Sequence, residues 1–289
     1  MKIIKNGFKF LLCVIVYIIV FMLMSGILPF SQQFVEAGDR MLEHNPALML
    51  TILVPILWNC FTALFIIKNS NFRGTKLFLN VFYVMFFVIF FITQIGAMYS
   101  VNALEMTRLD MILNMISGLF ALLVSLPLMV KFFQNKNAPD EAVERKNFDI
   151  KAIAIKLGLC GLVYLGAYFI FAFGVQWQFD AFRLFYANTP WGQTAWHGNT
   201  AGLPPFILIT AFRGVINGFF ILPLLTMITK NKRTFLIAAC LTFVAPAINH
   251  VAPNPMFPDM VRLAHLIGMT GTMTLFGIVA GNILWGNKK

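Results

Sequence analysis

Eight long apolar runs dominate the sequence and decide what it can fold into. A helix needs about 20 predominantly apolar residues to cross the hydrocarbon core of a bilayer. Because lipid offers no hydrogen-bond partner to an open backbone, runs of this length must be helical. The sequence therefore predicts an all-α integral membrane protein with eight transmembrane helices. The predicted spans cover about 8–30, 46–68, 76–99, 110–132, 152–176, 204–228, 233–252 and 261–285.

The composition argues against a water-soluble globular protein. Hydrophobic residues make up 59% of the 289 residues and charged residues only 11%, whereas a soluble domain carries about 25% charged residues. So few charges cannot cover a water-facing surface of this size. The first apolar run follows Lys2, Lys5 and Lys9, but it is too long for a signal peptide and no A-x-A cleavage site follows it. We interpret it as a retained first span.

The basic residues alternate between the connections, which predicts the orientation of the chain. Segments 1–9, 68–76, 131–156, 229–233 and 286–289 hold 17 of the 22 Lys and Arg residues. This asymmetry predicts that these segments, and therefore both termini, lie in the cytoplasm. It also accounts for the net charge of +11. We therefore expect membrane lipid and no nucleic acid as a partner, and we make no prediction of a protein partner.

The two halves share a series of residues at a nearly constant offset, which indicates an internal duplication. The offsets lie between 147 and 158 residues, and the matches occur in the same order. They pair Lys9, Cys13 and Tyr17 with Lys156, Cys160 and Tyr164; Pro46 and Asn59 with Pro204 and Asn217; Lys76 and Phe78 with Arg233 and Phe235; and Glu105 and Arg108 with Asp259 and Arg262.

An even number of spans in each half makes the two halves point the same way. The prediction is two tandem parallel four-helix repeats about an axis along the membrane normal. The first repeat covers 1–134, a charged cytoplasmic linker covers 135–150, and the second repeat covers 151–289. Repeats of this kind often place a site at their interface. The alternative is an old duplication that supplies only packing surface.

Arg213 lies deep inside the sixth predicted span. It follows Pro204 by nine residues, which is ~13 Å along a helix. A charge at that depth is costly and usually faces the bundle interior. Asn217 lies one turn further along the same face. A guanidinium suits an anionic group such as a phosphate or carboxylate. The alternative is a structural lock, in which Arg213 pairs with Asp180, Asp259 or backbone carbonyls.

Further polar residues collect on the predicted outer side. Asp259 and Arg262 are spaced i, i+3, so they can meet on one helix face, and His265 shares that face. This pair is either a gate or headgroup contact, or plain helix capping with a surface ion pair. The four histidines all lie outside the spans or near their outer ends: His44, His197, His250 and His265.

The sequence predicts no metal and no cofactor. His250 and His265 lie near the outer ends of neighbouring spans, but no H-x3-H or HExxH pattern supplies further ligands, and metal sites use three or four. Nucleophile elbows, P-loops and Rossmann fingerprints are also missing from the sequence. The identity of any catalytic residue is left unknown.

The loop 177–203 is rich in aromatic residues that suit the membrane–water interface. The run 179–186 predicts a short interfacial helix with Asp180 and Arg183 facing water. The whole loop is either a lid over a cavity or a plain aromatic belt. Its aromatic residues are Trp177, Phe179, Phe182, Phe185, Tyr186, Trp191 and Trp196.

Several motifs of the second half resemble a family of uncharacterised bacterial multi-pass membrane proteins. They are Val175-Gln-Trp-Gln with Arg183 and Tyr186, the pair Arg213-Gly214, the run Pro253-Asn-Pro255-Met-Phe-Pro258-Asp-Met-Val-Arg262-Leu-Ala-His265-Leu, and Leu275-Phe-Gly277 with Gly281. The resemblance covers mainly 160–285 and implies a bacterial cytoplasmic membrane, but no reaction. This chain departs from the family at Gly268, where an acidic residue is expected.

Three functions stay open. The first is a small permease, or a binding protein within the membrane, for an anionic or amphiphilic small molecule; the predicted binding residues are Arg213, Asn217, His250, His265, Arg262 and Asp259. The second is a membrane-embedded enzyme that acts on a lipid or cell-envelope substrate at the outer leaflet. The third is an accessory or sensor subunit without a ligand of its own.

Overall fold

The computed structural model describes residues 2–44, 50–99, 106–139, 149–187, 203–228, 231–252 and 257–286. Within these ranges the chain forms helices and no strand. The α-helices are α1 (Lys2–Ile27), α2 (Gln32–His44), α3 (Leu53–Asn69), α4 (Gly74–Met85), α5 (Ile92–Tyr99), α6 (Arg108–Phe133), α7 (Ile150–Gly174), α8 (Asp180–Ala187), α9 (Leu203–Phe220), α10 (Leu222–Met227), α11 (Lys232–Ile248) and α12 (Asp259–Trp285).

The prediction of eight membrane-crossing helices is confirmed. Over the described part of the chain, eight helical segments are long and apolar enough to cross a membrane, so the protein is a multi-pass membrane protein. The segments are Ile4–Ile27, Leu50–Asn69, Gly74–Ile95, Arg108–Phe133, Ile150–Gln178, Ile207–Met227, Lys232–Val251 and Asp259–Trp285. We call them the first to eighth spans.

The outer surface of the bundle is apolar, as a lipid-facing surface must be. Phe8 and Leu208 are each 70% exposed, and exposed apolar residues continue along the first, second, fifth and sixth spans. Apolar patches of this size are rare on soluble monomers. Several buried hydroxyls are satisfied within their own helices, since Ser125, Thr242 and Thr272 each donate to the carbonyl oxygen four residues earlier. The buried Thr62 hydroxyl has no hydrogen-bond partner among the described residues.

The first span ends earlier than predicted and leads into a helix that the sequence did not predict. Helix α1 stops at Ile27 because the residue before Pro29 is disfavoured in the helical region. The amphipathic helix α2 follows. Its start is fixed by the buried Asp110 carboxylate, which accepts hydrogen bonds at 2.7 Å from the Ser31 N–H and hydroxyl and also caps α6 together with Thr107.

Two spans are interrupted near the middle of the bundle. The third span contains a π-helical turn, Phe86–Phe91, between α4 and α5, and the sixth span breaks at Ile221 between α9 and α10. Pro223 contributes to the second break because it has no N–H to donate. The two interruptions face each other, with the Phe220 ring 4.6 Å from that of Phe87. Such π-helical turns often occur at functional sites.

Some contacts between spans recur in both halves. The first span packs along the fourth, and the fifth packs along the eighth; the third contacts the fourth, and the seventh contacts the eighth. The halves meet where α11 packs against α3 and the π-helical turn, and where α10 packs against α4. Hydrogen bonds between described residues cross this junction, from the Trp58 indole N–H to the Leu241 carbonyl oxygen at 3.0 Å and from the Asn71 N–H to the Met227 carbonyl oxygen at 2.8 Å.

Helices α7 and α9 approach each other unusually closely, and this fixes the position of Arg213. A Cβ atom on Gly214 would lie 2.4 Å from the Cβ of Tyr164 and 2.8 Å from the carbonyl oxygen of Cys160. Gly161 faces the backbone of Ala211 in the same way. Small residues of this kind allow helix backbones to meet within a membrane.

Candidate functional site

His265 is the centre of a polar and aromatic cluster at the start of α12. Its Nε2 lies 2.8 Å from the Tyr186 hydroxyl oxygen, and its Nδ1 lies 3.4 Å from the Gln176 amide nitrogen. Three elements supply these groups: α12, the turn that follows α7, and α8. The cluster therefore forms only because α8 folds back against α12.

The donor or acceptor role of one His265 ring nitrogen determines the role of the other. A neutral imidazole has one N–H donor and one acceptor nitrogen. In the tautomer in which Nδ1 accepts from the Gln176 amide nitrogen, Nε2 carries the proton and donates to the Tyr186 oxygen. The Tyr186 O–H then has no acceptor among the described residues. Burial raises the pKa of Tyr186, and the nearby Tyr168 raises it further, so the phenol stays a neutral donor.

His250 completes the cluster from the short 3-10 turn Asn249–Val251 that follows α11. Its ring stacks on that of His265 with the centroids 4.8 Å apart and an angle of 19° between the planes. The Phe257 ring lies 5.0 Å from that of His265, and the Phe182 ring lies at the same distance. The His250 Nδ1 is buried and has no hydrogen-bond partner in the described part of the chain. A buried nitrogen of this kind is costly unless something pairs with it.

Arg262 and Asp259 form the charged edge of the cluster. The Arg262 guanidinium donates to the Asp259 carboxylate at 2.6 Å, as the i, i+3 spacing predicted. Arg262 is only 8% exposed, whereas the Asp259 side chain is largely exposed. The Arg262 charge also lies close enough to interact with His250. One cation is thus held beside the stacked imidazoles.

The prediction that Arg183 faces water is wrong, although the short helix around it is present as α8. Arg183 is buried because its guanidinium turns under α8 and donates to the Trp177 carbonyl oxygen and to the Asp180 carboxylate. Asp180 itself is exposed. The helix therefore presents one charge to water rather than two.

Arg213 lies deeper, on α9, apart from the histidine cluster. Its guanidinium carbon lies 5.8 Å above the Tyr164 ring, which is a cation–π arrangement. Its Nε is buried and has no hydrogen-bond partner among the residues that the structure describes. No described carboxylate pairs with it, since Asp180 and Asp259 engage Arg183 and Arg262 instead.

Asn217 lies on the same face as Arg213 but is committed to the backbone. It is buried, and its amide nitrogen donates to the Arg213 carbonyl oxygen at 2.9 Å. The bond closes the turn that carries Arg213. Asn217 thus holds the helix locally, and its amide nitrogen is already occupied.

Tyr168, on α7, lies within electrostatic range of both the Arg213 charge and Tyr186. The sequence analysis did not single out Tyr168 or Gln176, and the only signal was the position of Gln176 within the Val175–Gln178 motif.

Gly268 explains how Gln176 reaches the cluster. A Cβ at position 268 would lie 2.4 Å from the Gln176 Cγ. The Gln176 side chain thus occupies the space that a larger residue at 268 would take. The chain therefore places a neutral amide beside His265.

The described residues contain no group of three or more His, Cys, Asp or Glu side chains arranged to hold a metal ion. The lone pairs of an imidazole lie in the plane of its ring. Because the rings of His250 and His265 are stacked, their nitrogens do not converge on a common point.

Several predicted features lie outside the described residues: His197, Glu105, Trp191, Trp196 and the Pro253–Met256 part of the proline-rich motif. The proposed lid is therefore described only over its first part, where Trp177, Phe182 and Tyr186 pack on one another and against α12. The chain matches no model of a known protein family, no curated protein and no solved structure.

Proposed function

We propose that the protein is a small permease, or a binding protein within the membrane, for an anionic or amphiphilic small molecule. The ligand enters from the outer side of the second half, past the His250–His265 cluster, and its anionic group binds Arg213. The single observation that carries this proposal is Arg213 itself: a guanidinium inside a span, with a buried Nε and no carboxylate partner in the described part of the chain.

The chemistry of the surrounding groups supports an anion with an apolar part. The Tyr186 O–H and the Arg213 guanidinium offer donors, and charge-assisted hydrogen bonds to a carboxylate or phosphate are the strong ones. The rings of Phe182 and Phe257 pack against His265 and give the cluster an apolar side. This combination suits an amphiphilic molecule better than a bare inorganic ion.

Two tandem parallel repeats form the scaffold of this proposal. Equivalent lysines support the duplication: Lys9 lies over the Phe132 ring at the end of the fourth span, and Lys156 donates to the Leu284 carbonyl oxygen at the end of the eighth. The junction is also reciprocal, because the second span meets the seventh and the third meets the sixth. Exchanging the halves exchanges these two contacts, as a two-fold axis requires.

We place the protein in a bacterial cytoplasmic membrane with both termini inside. The support for the orientation is the concentration of Lys and Arg in alternate connections. The histidine cluster lies at the opposite ends of the spans from these connections, near the first turns of α12. The proposed site therefore opens away from the cytoplasm.

Native mass spectrometry of the purified protein tests the proposal. We expect wild-type protein to retain a small molecule in addition to lipid, and Arg213→Ala to lose it. The matched control is Arg108→Ala, which removes an exposed arginine at the start of α6 and should leave the bound mass unchanged. Retention of the same mass by Arg213→Ala, or its absence from wild-type protein purified in several mild detergents, would contradict the proposal.

A second candidate is a membrane-embedded enzyme acting on a lipid or envelope substrate at the outer leaflet. The His265–Tyr186 hydrogen bond of 2.8 Å favours it, because a histidine held by a phenol can transfer protons. Overproduction should then change the lipid or envelope profile of the cell, and His265→Gln should cancel the change. An unaltered profile with wild-type protein would reject this candidate while leaving the binding proposal intact.

A further inference from the structure

We propose a second site, for a phosphate-class oxyanion, on the face that carries the basic connections. A cavity of about 120 Å³ lies there between the two halves, which is several times the ~30 Å³ that one water occupies. Its polar lining includes Lys68, Ser70, Asn71, Asn135, Asn231 and Thr234. It lies at the opposite ends of the spans from the histidine cluster and is independent of it.

Hydrogen bonds between three connections hold the cavity walls in place. The Asn71 N–H donates to the Met227 carbonyl oxygen at 2.8 Å, which ties the loop after α3 to the end of α10. The Gly74 N–H donates to the Gln134 side-chain oxygen at 2.8 Å, which ties the same loop to the end of α6. The cavity is therefore preorganised, and a ligand would not have to order these loops.

Asn135, Asn231 and Ser70 of the lining use their side-chain oxygens as acceptors, whereas Asn69 uses its amide N–H to donate to the Phe65 carbonyl oxygen. The side-chain oxygen of Asn135 accepts from the Asn137 N–H at 3.1 Å, and that of Asn231 accepts from the Arg233 N–H at 2.8 Å. Their amide nitrogens have no partner among the described residues. Ser70 likewise accepts from a backbone N–H, which leaves its hydroxyl hydrogen available.

The charge of the cavity lining has one sign. Lys68 is the one charged residue of the described lining, which contains no Asp or Glu. A metal cation would meet repulsion and few free oxygens. A tetrahedral oxyanion offers several acceptor oxygens to these donors, so phosphate, free or as part of a lipid headgroup, fits best.

Equilibrium dialysis with radiolabelled orthophosphate tests the site in lipid-depleted, full-length protein. We expect saturable binding of one phosphate ion per chain of wild-type protein. The Lys68→Gln substitution removes a charge-assisted contact, so this variant should bind phosphate at least about tenfold more weakly. The matched control is Lys131→Gln, which removes an exposed charge near the same end of α6 outside the lining. It should bind phosphate as wild-type protein does.

A second variant guards against a folding defect. Asn135→Asp keeps the acceptor for the Asn137 N–H but places a negative charge in the cavity. It should abolish phosphate binding while the unfolding temperature stays within the range of the control. Undiminished binding by a folded Asn135→Asp protein would overturn the proposal.

A lipid arm distinguishes the two sources of phosphate. Protein is reconstituted into nanodiscs of phosphatidylcholine with or without phosphatidylglycerol, and retained lipid is measured by native mass spectrometry. Phosphatidylglycerol held by wild-type but not by Lys68→Gln protein, without binding of free phosphate, identifies a headgroup site. If neither probe binds, or if Lys131→Gln weakens binding as much as Lys68→Gln, the site does not exist.

Discussion

Arg213 shows at the scale of one residue why a membrane protein would hold an unpaired cation. A charged residue at the centre of a spanning helix costs about 2.5–3.5 kcal/mol on insertion scales. The Tyr164 ring offsets part of this, since a cation–π contact contributes about 0.5–2 kcal/mol. No described carboxylate supplies the remainder. A bound anion would supply the remaining stabilisation of the Arg213 charge, and this is the physical basis of the proposed site.

The hydrogen bond between Tyr186 and His265 gives the first prediction at this scale. Tyr186→Phe removes the hydroxyl but keeps the ring that packs on Phe182. We expect the free energy of unfolding to fall by about 1–3 kcal/mol, because His265 is left with a buried, unpaired nitrogen. Equilibrium unfolding in mixed micelles measures the change.

Tyr83→Phe is the matched control, because no hydrogen bond of the Tyr83 hydroxyl is present within the described residues. It should change stability by less than about 0.5 kcal/mol. Equal losses in the two variants would show that the hydroxyl of Tyr186 contributes nothing specific.

The residues of the candidate site were predictable to the extent that their chemistry is unusual in a membrane. Arg213, His250 and His265 stand out because charged and imidazole side chains are rare within spans. Gln176 and Tyr186 do not stand out in the sequence, because a glutamine and an interfacial tyrosine are common at the end of a span. Their role depends on α8 folding back over α12, which no local pattern encodes. The same fold-back buries Arg183.

At the scale of elements, the close contact of α7 and α9 is the feature that positions Arg213. Gly214→Ala should destabilise the protein by about 1–3 kcal/mol, because the new methyl group meets backbone and Cβ atoms that cannot move aside. Gly166→Ala is the control, since its Cβ would meet nothing within 4 Å. Thermal unfolding of both variants measures the difference. A neutral Gly214→Ala would mean that the helices do not approach as closely as described.

The membrane-spanning helices were predictable because the length of each apolar run is enough to identify them. Eight apolar runs must become eight spans, and their ends moved by only a few residues. Helix α2 was missed because its 13 residues are amphipathic and carry several charges, so hydropathy alone does not find it. The π-helical turn Phe86–Phe91 and the break at Ile221 were missed as well. Both depend on packing between the third and sixth spans.

At the scale of the whole molecule, the orientation across the membrane can be measured with single cysteines. The four native cysteines lie within spans, and three of them are buried, so their background labelling should be low. Asn137→Cys should react with an impermeant maleimide only after cells are permeabilised, whereas Asp39→Cys should react in intact cells. Both positions are exposed. The reverse pattern would invert the proposed orientation.

Some contacts between spans recur in both halves, but only the second half carries the long aromatic loop, the intramembrane arginine and the histidine pair. Pro55 stands in the first half where Arg213 stands in the second. The proposed duplication, with one specialised half, predicts a single asymmetric site. We therefore expect one outer ligand per chain rather than two.

The most direct test is a cryo-electron microscopy map of the wild-type protein in nanodiscs, rigidified with an antibody fragment. We expect non-protein density within about 3 Å of the Arg213 guanidinium, as a hydrogen bond requires, continuing towards Tyr186 and His265. A guanidinium paired instead with a carboxylate of the chain itself, or facing lipid with no density beside it, would contradict the proposed site.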